Sequence, residues 1–207
     1  SSQFSNQSAL AVDFTTGTPH IAYRANYASN DEIVVAKDSA GSWRRLRMTT
    51  NSTQDLAPTI TVDSLGRVHV AWIGQDASSN WKIMYATNTG GGWQAQLLTM
   101  SELGQFGSGA LPFIAVTSSG RTHIFYRGGS YTDYHIHHAS NSAPGDTTWT
   151  YEIISTPNAN DFSASAVIDA QGTIHLLASG NDGFGFPPHV YYLKKSGSGS
   201  WTTPELA

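Results

Sequence analysis

The sequence predicts an all-β fold, a β-propeller of four four-stranded blades, and three observations carry that expectation. First, one motif recurs four times: VDFTTGTPHIAY (12–23), VDSLGRVHVAW (62–72), VTSSGRTHIFY (116–126) and IDAQGTIHLLA (168–178). Each copy holds a histidine (His20, His69, His123, His175) with a glycine three residues earlier (Gly17, Gly66, Gly120, Gly172). Second, each repeat runs on through a Gly/Ser/Asp-rich turn to a tryptophan, at Trp43, Trp93, Trp149 and Trp201. Third, nowhere do apolar residues recur at the period of an amphipathic helix. Short strands in a unit copied about every 50 residues are the sequence form of propeller blades.

Each element has a reason. Strand A ends at Asp13, Asp63, Thr117 or Asp169, where a carboxylate can bond the turn backbone. The glycine that follows supplies the positive φ of a tight hairpin. Strand B carries the histidine. Strand C is EIVVAK (32–37), KIMYAT (82–87), HIHHAS (135–140) or HVYYLK (189–194). Strands covered on both sides by neighbouring blades should be apolar on both faces, as HIAY, VHVAW and IVVA are. Strand D starts at the tryptophan and lies outside, so WRRLRM (43–48) and WTTPELA (201–207) are polar, with Pro204 suited to an edge. The blades divide one domain at 1–52, 53–102, 103–157 and 158–207.

The 207 residues include no cysteine, which excludes disulfides, thiolate metal sites and cysteine nucleophiles. No apolar run approaches the roughly 20 residues of a membrane-spanning helix. With 11 Lys+Arg against 15 Asp+Glu and no basic tract, nucleic acid is not an expected partner. Three arrangements fit four blades: a closed ring, half of a larger ring completed by a second copy as a homodimer, or a piece of a longer chain.

The C–D turns AKDSAGSW (36–43) and ATNTGGGW (86–93) resemble the Asp-box, Ser-x-Asp-x-Gly-x-x-Trp, of sialidase-like propellers. Asp38 or Asn88 takes the Asp position, Gly90 the Gly position, and Trp43 or Trp93 the Trp position. Ala36 and Ala86 replace the serine, and Ala40 replaces the first glycine. The third turn carries an insertion and the fourth has serine in place of Asp. The box is structural in that family, so the resemblance implies fold and not activity. Sialidases of this type use three arginines, a Tyr–Glu nucleophile and an Asp acid. Their Arg-Ile-Pro motif is absent here, and the glutamates number four: Glu32, Glu102, Glu152 and Glu205.

Antiparallel order places the D–A and B–C loops on one face, and loops that vary between repeats are where binding residues gather. The B–C loops bring aromatics (Tyr27, Trp81, Tyr131, Tyr134, Phe184, Phe186) beside carboxylates (Asp31, Asp76, Asp133, Asp182). The D–A segments add Phe4, Phe106 and Phe162. Rings stack on the C–H face of a sugar while polar groups bond its hydroxyls. The expected ligand-binding set is therefore Tyr27, Trp81, Tyr131, Tyr134 and Phe184, with Arg24, Arg127, Asp76 and Asp133. The bland alternative is that these rings seal the gaps between blades.

The repeated histidines sit at equivalent strand positions that point apart around a ring, so they are expected to bond a neighbouring backbone or side chain between blades rather than converge on a site. His135 and His137 share one strand face, but a metal needs further ligands that the sequence does not identify. No metal, cofactor or catalytic residue is expected. The leading function is non-catalytic glycan binding by a secreted or surface-attached protein. One alternative is a polysaccharide-active enzyme. It would use Arg127, Tyr134 and His135 as a lyase, or two of Asp31, Asp55, Asp76, Asp133, Asp161 and Asp182 as a hydrolase. The other is a structural or protein-interaction module.

Overall fold

In the computed structural model, residues 7–27, 30–89, 92–98, 109–130, 133–154, 156–158, 160–181 and 188–207 are described. They form sixteen strands and no α-helix, in four antiparallel sheets that follow chain order. Blade 1 is β1 (Ser8–Asp13), β2 (Thr18–Tyr27), β3 (Asn30–Ser39) and β4 (Ser42–Arg47). Blade 2 is β5 (Asp55–Val62), β6 (Val68–Gln75), β7 (Trp81–Thr87) and β8 (Gln94–Leu97). Blade 3 is β9 (Phe113–Val116), β10 (Thr122–Ser130), β11 (Asp133–Asn141) and β12 (Trp149–Ile154). Blade 4 is β13 (Asn160–Ile168), β14 (Thr173–Asn181), β15 (His189–Ser196) and β16 (Glu205–Leu206).

The A–B hairpins follow the motif's logic. Gly17, Gly66, Gly120 and Gly172 all have positive φ, between 70° and 87°. Asp63 Oδ1 accepts from the amides of Leu65 and Arg67, each at 2.9 Å. Asp169 Oδ1 does the same for Gln171 and Thr173 at 2.9 and 2.8 Å. In blade 3 the Thr117 hydroxyl takes that role, accepting from Arg121 N at 3.0 Å.

The Asp-box-like turn of blade 1 is a two-residue hairpin, Ser39 pairing with Ser42 around Ala40 and Gly41. Asp38 Oδ1 accepts from Gly41 N at 3.0 Å. Both central residues have positive φ, 55° at Ala40 and 83° at Gly41, the geometry of a type I′ turn. A Cβ is costly there, so Ala40→Gly should raise stability by about 1 kcal/mol, read from urea unfolding. No gain, or a loss, would show that Ala40 is not strained.

Strand D starts at or beside the tryptophan in blades 1 to 3, but in blade 4 the ladder reaches strand form only at Glu205. Thr202 still pairs, donating from N to Lys194 O at 2.9 Å. Pro204, which lacks an N–H, then interrupts the edge.

Three apolar clusters join the four sheets. Ala22, Ile33 and Val35 of blade 1 meet Ile60, Val70 and Trp72 of blade 2. Ile73, Ile83 and Tyr85 of blade 2 meet Ile114, Ile124 and Tyr126 of blade 3. Phe125, Ile136 and Ile154 of blade 3 meet Ala166, Leu176 and Leu193 of blade 4. Coverage of both faces therefore holds for the middle blades, where β6 is buried from Val68 to Gly74. It does not hold for the outer ones: Leu10 and Val12 of β1, and Val167 and Leu177 of blade 4, are exposed. The described sheets are not closed into a ring.

Candidate functional site

The face carrying the D–A and B–C loops is built on the ends of β2, β3, β5, β11 and β13. At blade 1, Tyr27 closes β2 and is 39% exposed. The Arg47 guanidinium lies over that ring, 4.4 Å from its centre. Arg47 also donates from Nη2 to Glu32 Oε1 at 2.7 Å, and Asn30 Nδ2 donates to the same oxygen at 3.1 Å. Beside them Asn26 Nδ2 donates to Asp31 Oδ1 at 3.2 Å, and Arg24 Nη1 lies 3.6 Å from Asp31 Oδ2. Tyr27, Asn30, Glu32 and Arg47 thus share one face of this hairpin end, and Arg24, Asn26 and Asp31 the other.

Beneath the rim the groups are structural. Asp55 opens β5 fully buried, accepting from Trp72 Nε1 at 2.8 Å and Asn51 Nδ2 at 2.9 Å. Burial pushes its carboxyl above the usual range, Glu32 adds to that, and the donors pull the other way. Asp161 repeats the arrangement in blade 4, accepting from Asn158 Nδ2 at 3.0 Å and Thr156 Oγ1 at 2.8 Å. It too is raised by burial. Thr49–Asn51–Asp55 and Thr156–Asn158–Asp161 are thus one corner device used twice. The sequence signals it as Thr-x-Asn followed three or four residues later by Asp, a pattern missed by reading the loops for aromatics. Gly74 accompanies the corner because a Cβ there would lie 2.7 Å from Asp55 Oδ1.

The expected binding residues fare unequally. Tyr27 and Arg24 both lie at the blade 1 rim, on opposite faces of its hairpin end. Trp81 opens β7 partly buried against the core between blades 2 and 3, as the packing alternative requires. Tyr134 is buried, with the Arg127 guanidinium 4.3 Å from its ring centre. Asp76 organises its own turn, Oδ1 accepting from Ser78 N and Asn80 N at 2.9 Å each. Those amides, Asn80's first, hold its carboxyl below the usual range. Asp133 opens β11, with its side chain outside the described residues. Tyr131, Phe184, Phe186, Asp182, Phe4 and Phe106 also lie outside them.

The motif histidines bond chiefly within their own blades, where bonds between blades were expected. In blade 2 the carboxylate of Asp63 can only accept, so His69 Nε2, at 3.2 Å, carries the proton. His69 Nδ1 then accepts from Tyr85 Oη at 2.8 Å, and Tyr85 reaches the Thr122 hydroxyl of blade 3 at 3.3 Å. In blade 3, His138 Nδ1 donates to Glu152 Oε1 at 2.6 Å and its Nε2 accepts from His123 Nδ1 at 2.8 Å. This second network lines a cleft of about 190 Å³ on the opposite face, with Arg121 and Lys195. His135 Nδ1 lies 3.9 Å from Asp161 Oδ2, while His137 packs on the Tyr126 ring. Among the described residues no three His, Asp or Glu side chains are placed to share a metal ion. No helix among them is long and apolar enough to cross a membrane.

This architecture is the sialidase-like propeller fold. No protein-family model matches the chain, and no curated protein matches it in sequence. Solved structures do share its fold. A Hadza microbial sialidase superposes with TM-score 0.67 at 12% identity, over 96% of this chain and 46% of its own. The BP39L lectin from Burkholderia pseudomallei gives TM-score 0.65 at 14% identity, over 97% of this chain and 55% of its own. The catalytic domain of the Coprinopsis cinerea GH62 α-L-arabinofuranosidase gives 0.56 at 15%, over 98% and 69%. The chain thus spans about half the length of the first two.

Proposed function

We propose that this chain is a non-catalytic carbohydrate-binding propeller that engages sugar on the face of its D–A and B–C loops. The observation that carries the reading is the blade 1 rim. There Tyr27, 39% exposed, stands with Asn30 and the Arg47–Glu32 ion pair on one face of the β2–β3 hairpin end. A pyranose C–H face can stack on the ring while its hydroxyls exchange bonds with the amide, carboxylate and guanidinium. The fold shared with a lectin, a sialidase and an arabinofuranosidase supports a carbohydrate ligand. Such a ligand fits a secreted or surface-attached protein.

For an enzyme the carboxylates would have to be open to substrate. Asp55 and Asp161 are buried corner ties, Asp31 is bound to Asn26 and Arg24, and Asp76 holds its turn. That use of these four carboxylates favours binding over hydrolysis, while Asp182 and the Asp133 side chain lie outside the described residues. The test is a broad glycan array at high protein density, with Tyr27→Ala beside the parent and product release assayed in parallel. The parent is expected to select a related group of sugars, and Tyr27→Ala to weaken binding about tenfold, the worth of one aromatic stack. A blank array, binding indifferent to Tyr27→Ala, or product release would overturn the reading.

A further inference from the structure

The three blade interfaces share a register of contacts, and the two outward faces carry its unmatched halves. On strand D of each blade, one position lies opposite the strand C residue that pairs with the second residue after the motif histidine. That position is Leu46, Gln96, Glu152 and Glu205 in blades 1 to 4. In blade 2, Gln96 Oε1 accepts from Trp149 Nε1 of blade 3 at 3.1 Å. In blade 3, Glu152 Oε1 accepts from Trp201 Nε1 of blade 4 at 2.9 Å. In blade 1 the position is the apolar Leu46, and Trp93 of blade 2 packs instead into the shared core. Each tryptophan thus reaches back to the preceding blade.

Carried one step further, the register leaves Glu205 exposed on the outward face of blade 4. Its counterpart Trp43 stands on blade 1, 46% exposed. The strand B histidine follows the same rule. His69 and Tyr85 are buried where blade 3 covers them. In blade 4 the same triad is already assembled, His175 Nε2 to Asp169 Oδ2 at 3.2 Å and Nδ1 to Tyr192 Oη at 2.7 Å. Yet the His175 side chain is 32% exposed. Around these polar halves both faces are apolar: Leu10 and Val12 on blade 1, Val167, Leu177 and Val190 on blade 4, all exposed.

We propose that the outward face of blade 4 docks onto the outward face of blade 1 in a second copy of this chain, with the Trp43 indole N–H on Glu205. The contact is head-to-tail, so two copies that satisfy it twice close a ring, and nothing in it depends on the sugar-binding reading. Covering Leu10, Val12, Val167 and Leu177 supplies the apolar area, and the Trp43–Glu205 bond sets the register.

The test is sedimentation equilibrium of the 207-residue chain over a dilution series. The expected species is twice the 22.2 kDa of one chain. Leu10→Glu and Val167→Glu alter exposed side chains, so each should keep the parent's circular dichroism yet sediment as a monomer. Mixing the two variants should restore a dimer, because one interface of the mixed pair is unaltered. Trp43→Phe, which removes the N–H alone, should weaken association about tenfold. A single-chain mass at every concentration, from self-closure or a requirement for some other blade, would overturn the proposal. So would a dimer indifferent to both glutamate substitutions.

Discussion

Glu152→Ala should destabilise the chain by about 2–3 kcal/mol in urea unfolding at pH 7 and flatten its acid sensitivity. Glu152 gathers His138 Nδ1 at 2.6 Å, Lys195 Nζ at 2.7 and 2.8 Å, and Trp201 Nε1 at 2.9 Å. Two of those donors belong to blade 4, so one carboxylate fastens two blades. Its removal leaves several donors short of an acceptor, His138 among them and nearly fully buried. Partial exposure of Glu152 screens the charge and holds the figure below that of a fully buried pair.

The pH dependence follows from the same network. His138, then Lys195 and Trp201, hold the Glu152 carboxyl down at about 2 against an ordinary 4.5. A depressed acid contributes stability above its unfolded value and loses it as pH falls, here between 4.5 and about 2. Burial, with His138 and Arg121 nearby, lowers His123 to about 3 from 6.5. The unfolded chain therefore binds a proton below 6.5 that the fold refuses, and stability falls from 6.5 toward 3. Both act in one direction, so these two groups lower the unfolding free energy as pH falls from 7, against the raised carboxyls of Asp55 and Asp161, which act the other way. The slope should be shallower below pH 4.5 in Glu152→Ala, and equal slopes in the two proteins would exclude this assignment.

Trp72→Ala should cost about 3–5 kcal/mol, enough to lower the melting temperature by roughly 6–20 °C in a chain of this size. Trp72 is 1% exposed in the core between blades 1 and 2, and its indole N–H is a donor to the buried Asp55. The substitution opens a cavity and removes a donor from a carboxyl already disfavoured as an anion. Trp72→Phe separates the two effects, since it retains most of the volume and loses the bond. A calorimetric loss below about 1 kcal/mol for Trp72→Ala would mean that the site collapses around the smaller side chain.

Local chemistry was legible in the residues. The recurrent Gly–His spacing and the Asp that ends strand A marked hairpins whose glycines do take positive φ, and whose carboxylates do hold the turn amides. The candidate site was legible only in part. Tyr27, Trp81 and Tyr134 look alike as loop aromatics, yet Tyr27 is exposed, Trp81 leans on the core and Tyr134 is buried under Arg127. Exposure depends on what packs over each ring, the guanidinium of Arg127 from the adjacent strand over Tyr134 and the core shared with blade 3 against Trp81.

The sequence by itself determined the sheet order and the tight A–B hairpins, because hairpin pairing and turn geometry are properties of adjacent residues. Tertiary structure alone decided which tryptophan meets which blade, that Asp55 and Asp161 are corner ties, and that the triad of blade 4 stands open while that of blade 2 is sealed. Those outcomes turn on burial, and burial is set by surfaces brought together across the chain.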